Sequence, residues 1–337
     1  IQNLMIYNNI DFNNSTILIT GGAGFIGSNL AFYFQENFPN AIVVVFDCFR
    51  NEKLFSNGNL QSFGHYENLI GFSGEVICGN INNQEDLALL KKYKFNYIFH
   101  QAAISDTRVL DQEIIMKTNV NSFYKLLDIA RENSSVVVYA SSAATYGSSS
   151  SPQTIGSESP ENPYGFSKYI MDKIALNYLK KYPKMTISGL RYFNVYGSKE
   201  FYKDKTASMI IQLGHQILGG KSPKLFKESK NIFRDFIYIN DVVQANIKAC
   251  KPKLNGIFNI GTGKSRSFQE IADILQKELG TDLGTEYFHN PHIGYQMHTQ
   301  ADISLSEKYL DFKAKYTLED GIRDYIPEIK QLYHKNL

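Results

Sequence analysis

Two short stretches of the chain carry side chains that could move a proton to or from an alcohol. Tyr164 and Lys168 stand four residues apart in N-P-Y-G-F-S-K, so on a helix they share one face. A nearby ammonium favours the phenolate, because an opposite charge lowers the pKa of a tyrosine. Ser142, in the earlier segment Y-A-S-S-A-A-T-Y-G, supplies a hydroxyl that could share the hydrogen bond to the substrate. Together these residues predict a base that acts on an alcohol.

A glycine-rich turn near the start of the chain predicts a nucleotide-binding site that would accompany this chemistry. Residues 16–29 read T-I-L-I-T-G-G-A-G-F-I-G-S-N, which predicts a strand, a tight turn and a helix. Gly21, Gly24 and Gly27 fit a G-x-x-G-x-x-G variant of the dinucleotide fingerprint, in which the helix N-terminus meets a pyrophosphate. An isolated Tyr-x-x-x-Lys pair would also fit a half-buried ring and a solvated ammonium. Its combination with the fingerprint and Ser142 favours the catalytic interpretation.

A second apolar run, residues 41–46, ends at an acidic residue. Asp47 lies about twenty residues past the last glycine, where the fingerprint expects a carboxylate that binds the adenosine ribose. Arg50 and Lys53 follow closely and could meet the 2′-phosphate of NADP. Both could equally be solvated charges of a loop, so the choice between NADP and NAD stays open from these residues alone.

The elements that must position these side chains alternate between strand and helix. Apolar runs predict strands at residues 17–19, 42–46, 76–78, 97–99, 136–139 and 187–196. Alternating strands and helices indicate an α/β protein with a Rossmann-like, doubly wound parallel sheet. Helices are also expected at residues 241–249 and 268–279. We place a dinucleotide-binding domain at 1–197, to which later segments return, and a smaller, interleaved and mainly substrate-binding domain at 198–337.

Composition narrows the class of ligand. The chain has 337 residues, 43% of them hydrophobic, and a net charge of +2 without a basic cluster, which argues against nucleic acid as a partner. Cys48, Cys78 and Cys250 are widely spaced and predict neither a disulfide framework nor a metal site. No apolar run approaches the roughly 18 residues of a membrane span, and the first residues do not resemble a signal peptide. We therefore expect a cytoplasmic protein that acts on a small molecule.

Several further motifs give the chain a recognisable family likeness. They are R-Y-F-N-V-Y-G at 191–197, T-A-S-M at 206–209, S-P-K-L-F at 222–226, R-D-F at 234–236, G-I-F-N-I-G-T-G at 256–263 and H-T-Q-A-D at 298–302. With Ser142, Tyr164 and Lys168, they resemble the extended short-chain dehydrogenase/reductase family over nearly the whole chain. The resemblance implies an NADP-dependent isomerase, with NAD as the alternative cofactor. It also implies a homo-oligomer, with a pentamer as the expected state.

Among the branches of this family, the motif combination resembles sugar-nucleotide epimerases. It implies inversion of C6 in ADP-D-glycero-D-manno-heptose, through a 6-keto intermediate and with tightly bound NADP, for a lipopolysaccharide core precursor. The rival enzymes are a UDP-hexose 4-epimerase and a sugar-nucleotide dehydratase, which share the fold and the Tyr-Lys pair. A non-catalytic nucleotide sensor is the rival from another class, although such proteins typically lose the tyrosine or the lysine.

The resemblance also assigns residues to the two ligands. The implied cofactor-binding residues are Gly21, Gly24, Phe25, Ile26, Gly27, Asp47, Cys48, Arg50, Lys53, Gln101, Ala102, Ala103, Ile104, Ser105, Asn119, Lys168, Val195 and Lys203. The implied substrate-binding residues are Asn194, Lys205, Gln212, Phe226, Lys227, Glu228, Ser229, Arg234 and Tyr295. Relatives can carry serine and histidine where this chain has Lys205 and Gln212. His100, by contrast, is expected to be a packed strand residue.

Lys203 is the implied second base of the epimerase. Inversion requires hydride to leave one face of C6 and return to the other, so the C6 oxygen turns to a different side of the pocket. Alignment from R-Y-F-N-V-Y-G without a gap places the family's catalytic lysine at Lys203, and Lys205 is its close competitor. Without the family match, both lysines would be interpreted as solvated or phosphate-binding charges of a loop.

Overall fold

The computed structural model describes residues 10–290 and 296–335, and the proposed substrate residue Tyr295 lies outside them. Twelve strands are present in the described part of the chain. They are β1 (Thr16–Thr20), β2 (Ile42–Asp47), β3 (Glu75–Cys78), β4 (Tyr97–His100), β5 (Val136–Ser142), β6 (Thr186–Tyr192), β7 (Asn194–Tyr196), β8 (Lys224–Phe226), β9 (Phe233–Tyr238), β10 (Gly256–Ile260), β11 (Ser265–Ser267) and β12 (Glu286–Phe288).

In the described part of the chain, α-helices alternate with the strands of the main sheet, and further α-helices follow toward the C-terminal end. They are α1 (Phe25–Asn37), α2 (Gln84–Ala88), α3 (Gln112–Ile115), α4 (Ser122–Asn133), α5 (Pro163–Lys181), α6 (Met209–Leu218), α7 (Ile239–Lys248), α8 (Phe268–Leu279) and α9 (Leu318–Lys335). Helix α8 begins at a capping box, in which Ser267 and Glu270 exchange side-chain and backbone hydrogen bonds.

The main sheet has seven strands in the order β10-β6-β5-β4-β1-β2-β3, and every neighbouring pair is parallel. The chain builds one side from β1 through β3 and then crosses back to add β4 beside β1. Such a reversal leaves a crevice at the carboxyl ends of the two strands, which is where ligands bind in open α/β sheets. The predicted Rossmann-like α/β class is confirmed.

The sheet is buried on both faces, as the apolar runs of its strands require. Along β1, Ile17 and Ile19 join the core that contains α1 residues, whereas Leu18 faces the opposite core, because alternate residues project to opposite faces. In β2, Val43 and Val45 join the first core in the same way. The sheet edge that carries the glycine turn is therefore held between two packed layers.

The predicted strand at residues 187–196 is two strands. β6 belongs to the main sheet, whereas β7 pairs with β9 in a three-stranded sheet of order β11-β9-β7. Phe193 lies at the change of partner, and its N–H donates to the Ile260 carbonyl (3.0 Å). The apolar run was interpreted as one strand because a run of side chains does not show where the pairing partner changes.

Segments on the two sides of position 197 are interleaved. β10 follows that position and forms the edge of the main sheet, whereas β7 precedes it and lies in the small sheet. Helices α6, α8 and α9 pack against one another. The domain boundary at 197/198 stays a prediction. In the described residues, we find no helix with both the length and the apolarity needed to cross a bilayer.

Candidate active site

A cleft of about 600 Å³ opens at the carboxyl ends of the central strands, where the strand order reverses. The glycine turn, the end of β4, the start of α5 and the segment after β6 form its walls. The predicted site residues that line it are Gly21, Gly24, Phe25, Ile26, Gly27, Asp47, Cys48, Lys53, Gln101, Ala102, Ala103, Ile104, Ser105, Ser142, Tyr164, Lys168, Asn194, Val195, Lys203 and Arg234. Most of the predicted cofactor residues and all four predicted catalytic residues therefore share one cleft.

The glycine turn has the geometry that a dinucleotide requires. Gly21 has a φ of +68°, and a Cβ at Gly27 would lie 2.2 Å from the Gly21 carbonyl oxygen, so helix α1 meets the turn at backbone distance. Gly24 gives α1 no side-chain cap. The first N–H groups of a helix have no intrahelical acceptor, and the positive end of its dipole attracts phosphate. This turn fits a pyrophosphate.

Asp47 stabilises the same turn from the end of β2. Its carboxylate accepts hydrogen bonds from the N–H groups of Ala23 (3.0 Å) and Phe49 (2.8 Å). Burial raises the pKa of Asp47, and these two N–H donors oppose the rise. Because Asp47 also lines the cleft, the residue predicted to bind the ribose is already fixed by backbone donors before any ligand contributes.

The start of α5 brings Tyr164 to the end of β5. The Asn162 side chain accepts from the Gly165 N–H (2.8 Å), and Pro163 occupies the first turn, so the helix begins sharply. A Cβ at Gly165 would lie 2.4 Å from the Ala144 carbonyl oxygen. Glycine at this position therefore lets the helix approach the turn that follows Ser142.

Burial dominates the titration of the tyrosine and the lysine. The pKa of Tyr164 is raised by burial, and a hydrogen bond with Ser142 opposes the rise. The Tyr164 pKa therefore lies above its ordinary value in the protein by itself, whereas the spacing from Lys168 predicted a lowered value. The Lys168 ammonium donates to the Ala140 carbonyl (2.6 Å), and burial lowers its pKa to about 8 although Asp172 opposes the shift.

Lys203 and Lys205 occupy different cavities. Lys203 lines the main cleft, where its ammonium lies 5.6 Å from the centre of the Phe25 ring. Burial lowers the pKa of Lys203, and the charges of nearby carboxylates oppose the shift. Lys205, Gln212 and Arg50 line a second cavity of about 310 Å³. Two of the predicted substrate residues and one predicted cofactor residue are therefore outside the main cleft.

Other predicted residues also lie away from the cleft lining. Asn119 is fully buried behind it, where its side chain bonds the N–H (2.8 Å) and carbonyl (3.0 Å) of Ile104 and the Ser167 hydroxyl (2.9 Å). It positions the loop after β4. The predicted substrate segment Phe226, Lys227, Glu228 and Ser229 forms the end of β8 and the turn after it, and none of these residues lines the cleft.

Arg234 reaches the cleft from the small sheet. Its guanidinium donates to the carbonyls of Phe233 (2.8 Å) and Gln296 (2.5 Å) and lies 5.5 Å from the centre of the Phe268 ring. The neighbouring Asp235 carboxylate accepts from backbone N–H groups, including that of Ala301 (3.0 Å). These contacts fix a cation in the wall of the cleft.

Several cleft residues were missed by the sequence reasoning. Thr299 lines the cleft, is only 7% exposed, and its hydroxyl oxygen makes no hydrogen bond with any described residue. Its N–H donates to the Phe233 carbonyl (3.1 Å), so a partner distant in sequence places it beside Arg234. Gln296, Asp106, Thr118 and Tyr192 line the cleft too. The motif at 298–302 was the available signal for Thr299, but no role was assigned to this residue.

His100 is a packed strand residue, as predicted. It is 2% exposed, its Nδ1 lies 2.7 Å from the Thr20 hydroxyl, and its ring stacks on Phe123 at 5.6 Å. Burial and the nearby Lys168 charge lower its pKa to about 3. The imidazole is therefore neutral at physiological pH and lies behind the cleft.

A reversal of strand order that holds a glycine turn, with the half-buried Tyr164 and the buried Lys168 beside it, defines a nucleotide-dependent enzyme of the short-chain dehydrogenase type. The family model described as NAD dependent epimerase/dehydratase matches residues 17–261. The chain belongs to this NAD-dependent epimerase/dehydratase family.

Individual relatives are similar over almost their full lengths. The ADP-L-glycero-D-manno-heptose-6-epimerase of Brachyspira hyodysenteriae is 39% identical over 317 residues, which are 92% of this chain and 96% of the relative. The crystal structure of the Helicobacter pylori protein of the same name is 49% identical and has a TM-score of 0.88, with 97% and 99% coverage. A Bacillus cereus UDP-glucuronic acid 4-epimerase, solved with UDP-glucuronic acid and NAD, is 27% identical, with a TM-score of 0.79 and 94% and 100% coverage.

Proposed function

We propose that this protein is an ADP-L-glycero-D-manno-heptose 6-epimerase. It inverts C6 of the heptose in ADP-D-glycero-D-manno-heptose to give the L-glycero epimer, a precursor of the lipopolysaccharide core. The observation that carries the proposal is the presence of Tyr164 and Lys203 in one cleft, beside a turn shaped for a dinucleotide. The names and identities of the Brachyspira and Helicobacter relatives support the choice of substrate.

Tyr164 is the base of the first half-reaction. Once Tyr164 has given its own proton to solvent, its phenolate oxygen takes the proton of the C6 hydroxyl, while Ser142 holds the same oxygen of the substrate through a hydrogen bond. A nicotinamide cofactor bound at the glycine turn would supply the hydride acceptor for C6 and the hydride donor for its return. The sugar is a 6-ketone between these events, and no net oxidation results. Lys168, fixed on the Ala140 carbonyl, places a positive charge beside the tyrosine.

Lys203 is the acid–base group of the other half-reaction. Because the hydride returns from the same side of the cleft, the ketone must turn about C5–C6 to expose its opposite face. Its oxygen then points away from Tyr164, and a second proton donor on that side completes the inversion. Burial lowers the pKa of Lys203, which makes its ammonium a better proton donor than an exposed lysine.

Arg234 is the anchor for the diphosphate of the substrate. A guanidinium matches phosphate oxygens with paired donors, and Arg234 lines the cleft from the small sheet. Thr299 beside it offers a hydroxyl to the same ligand. NADP is the proposed cofactor because Lys53, in the segment after β2, lines the same cleft as Asp47.

A UDP-hexose 4-epimerase is the enzyme to exclude, since a UDP-sugar 4-epimerase shares this fold at lower identity. The decisive experiment incubates the purified protein with ADP-D-glycero-D-manno-heptose and follows the configuration at C6 by NMR. UDP-glucose and UDP-glucuronic acid serve as parallel substrates. Inversion at C6 of the heptose alone supports the proposal, and C4 inversion of a UDP-sugar without heptose turnover refutes it.

We also propose a cytoplasmic homo-oligomer, a pentamer by resemblance to the family. The proposal is tested by light scattering coupled to size-exclusion chromatography, with fractionation of the source cells for the location. A monomeric mass at micromolar concentration would contradict the oligomer.

A further inference from the structure

A buried carboxylate that has no role in the mechanism lies one helical turn beyond Lys168. Asp172 is 1% exposed, and its two oxygens accept from the Tyr139 hydroxyl (2.7 Å), the Ser141 hydroxyl (3.0 Å) and Arg191 Nε (2.9 Å). Arg191 Nη2 lies 2.8 Å from the same carboxylate. Such a fully satisfied buried network fixes its members in one geometry.

The two residues whose hydroxyls donate to Asp172 are the neighbours in sequence of the residue that accepts a hydrogen bond from Lys168. Tyr139 and Ser141 stand on either side of Ala140 in β5, and the Ala140 carbonyl accepts the hydrogen bond from Lys168. Asp172 therefore ties α5 to β5 on both sides of that carbonyl. Lys168 and Asp172 lie four residues apart on one face of the helix. The hydrogen bonds of Asp172 to β5 therefore fix the position of the Lys168 ammonium relative to that strand.

The Asp172 carboxylate also affects the pKa of Lys168. Desolvation is the largest influence on the pKa of Lys168 and lowers it, and Asp172 opposes this effect. His100 faces the lysine from β4 but is uncharged at neutral pH, since its pKa lies at about 3. Tyr164, on the lysine's own helix, and Tyr139, on β5, both have raised pKa values and are neutral as well.

Arg191, on β6, is the positively charged member of the network around Asp172. It is shared between Asp172 and Glu158, whose oxygen lies 2.5 Å from Arg191 Nη1 and whose side chain is 11% exposed. The guanidinium therefore keeps a carboxylate partner if Asp172 is neutralised. An amide at position 172 would remove the anion near Lys168 without leaving Arg191 unpaired.

We propose that Asp172 is a positioning residue for Lys168: it fastens α5 to β5 around the Ala140 carbonyl that accepts the lysine's hydrogen bond, and it places a carboxylate one helical turn from the buried ammonium. The catalytic meaning of this role rests on the proposed function, but the titration of Lys168 does not. In the proposed reaction, a protonated Lys168 supplies the positive charge beside Tyr164. Without the Asp172 carboxylate, Lys168 would lose its proton at a lower pH, and the pH range over which the enzyme is active would narrow.

The direct test is NMR titration of the protein carrying ¹³Cε-labelled lysine, from pH 6 to 10.5 and without substrate. The signal of Lys168 is identified by its absence in Lys168→Met. We expect a midpoint at about 8 in the unmodified protein and, because an opposite charge shifts a pKa by about 1 to 3 units, a midpoint at least about one unit lower in Asp172→Asn. An unchanged midpoint in Asp172→Asn overturns the proposal, whether or not the protein epimerises heptose.

Tyr178→Phe is the matched control. It removes another Tyr–Asp hydrogen bond of α5, that of Tyr178 with Asp128 (3.3 Å), far from the cleft, and should leave the Lys168 midpoint unchanged. An equal shift in the control would show that any change in α5 moves the midpoint, which also overturns the proposal.

If Asp172→Asn does not fold, Tyr139→Phe becomes the test, because it removes the hydrogen bond from Tyr139 to Asp172 and leaves every charged group in place. We expect kcat to fall about fivefold or more, with KM for the ADP-sugar unchanged and thermal stability matching Tyr178→Phe. The unmodified enzyme, assayed in parallel, shows separately whether the proposed function holds. A kcat equal to that of Tyr178→Phe would refute the positioning role.

Discussion

Lys203 and Lys205 are separated by one residue and lie in different cavities, because the backbone turns between them. Asp204 has a φ of +53° and a ψ of −128°, which interrupts the short helical segment on which both lysines lie. Positive φ is uncommon outside glycine, so this conformation is a sharp local break in the backbone. The turn leaves Lys203 in the main cleft and Lys205 in the second cavity.

Replacement of the two lysines should therefore give unequal effects. We expect Lys203→Met to lower kcat by about 10² or more, because it loses the proton donor of one half-reaction. Lys205→Met, the matched control, should change kcat by less than about threefold, as expected for an exposed side chain. Binding of cofactor and ADP-sugar, measured by calorimetry, should stay nearly normal in Lys203→Met. A larger effect at Lys205 would move the second base to that residue.

Tyr164→Phe should abolish most turnover and preserve the fold. The variant loses only the hydroxyl that bonds Ser142, so we expect kcat to fall by about 10² to 10⁴ with unchanged cofactor affinity. Tyr192→Phe is a useful comparison, since Tyr192 also lines the cleft but its hydroxyl is engaged by Asn246 (3.1 Å). Near-normal turnover of Tyr164→Phe would favour a nucleotide sensor.

Lys168→Met should make the protein more stable at pH 7. The folded-state pKa of Lys168 is lowered from 10.5 to about 8, so the folded state bears the full cost of the buried ammonium below pH 8. That cost is roughly 3 kcal/mol, and loss of the hydrogen bond to Ala140 offsets about 1 kcal/mol of the gain.

The gain should shrink with rising pH. Between pH 8 and 10.5 the unfolded chain binds more protons at this lysine than the folded chain does, so the wild-type protein gains stability over that window. Urea unfolding of both proteins at pH 7, 8.5 and 10 measures the difference. A difference independent of pH would show that Lys168 is not buried as an ammonium.

Lys53 should discriminate between the two cofactors. Lys53 lines the main cleft, whereas the Arg50 guanidinium donates to the Tyr202 carbonyl and lines the second cavity. We expect Lys53→Ala to weaken NADP more than NAD, because an ammonium in the cleft that Asp47 also lines favours the 2′-phosphate. Arg50→Ala should affect both cofactors equally. Fluorescence titration with NADPH and NADH measures all four affinities, and a selective effect at Arg50 instead would reverse the assignment.

Gly27→Ala should damage the cofactor turn. Its Cβ would lie 2.2 Å from the Gly21 carbonyl oxygen, whereas a Cβ at Gly24 would lie 3.2 Å from the same atom. We expect Gly27→Ala to lose about 1–3 kcal/mol of stability and most of its cofactor affinity, with a smaller loss for Gly24→Ala. Thermal melting with and without NADP measures both. Equal effects would show that the turn adapts more readily than its geometry indicates.

The sequence by itself determined the parts that depend on local pattern. The β-branched runs, the glycine spacing after β1 and the four-residue spacing of Tyr164 and Lys168 predicted the parallel sheet and the elements that carry the chemistry. Helix α8 was predicted at its observed limits, because a regular apolar face is a signal within one short segment.

Only the tertiary structure decided which residues meet. The turn at Asp204 separated Lys203 from Lys205, and the pairing of Phe233 with the 298–299 segment brought Thr299 to the cleft. The pKa of Tyr164 likewise depended on burial, which raised it although its spacing from Lys168 had predicted a lowered value. Such outcomes depend on contacts between segments far apart in sequence and on the loss of water around charged groups, neither of which is present in a local pattern of residues.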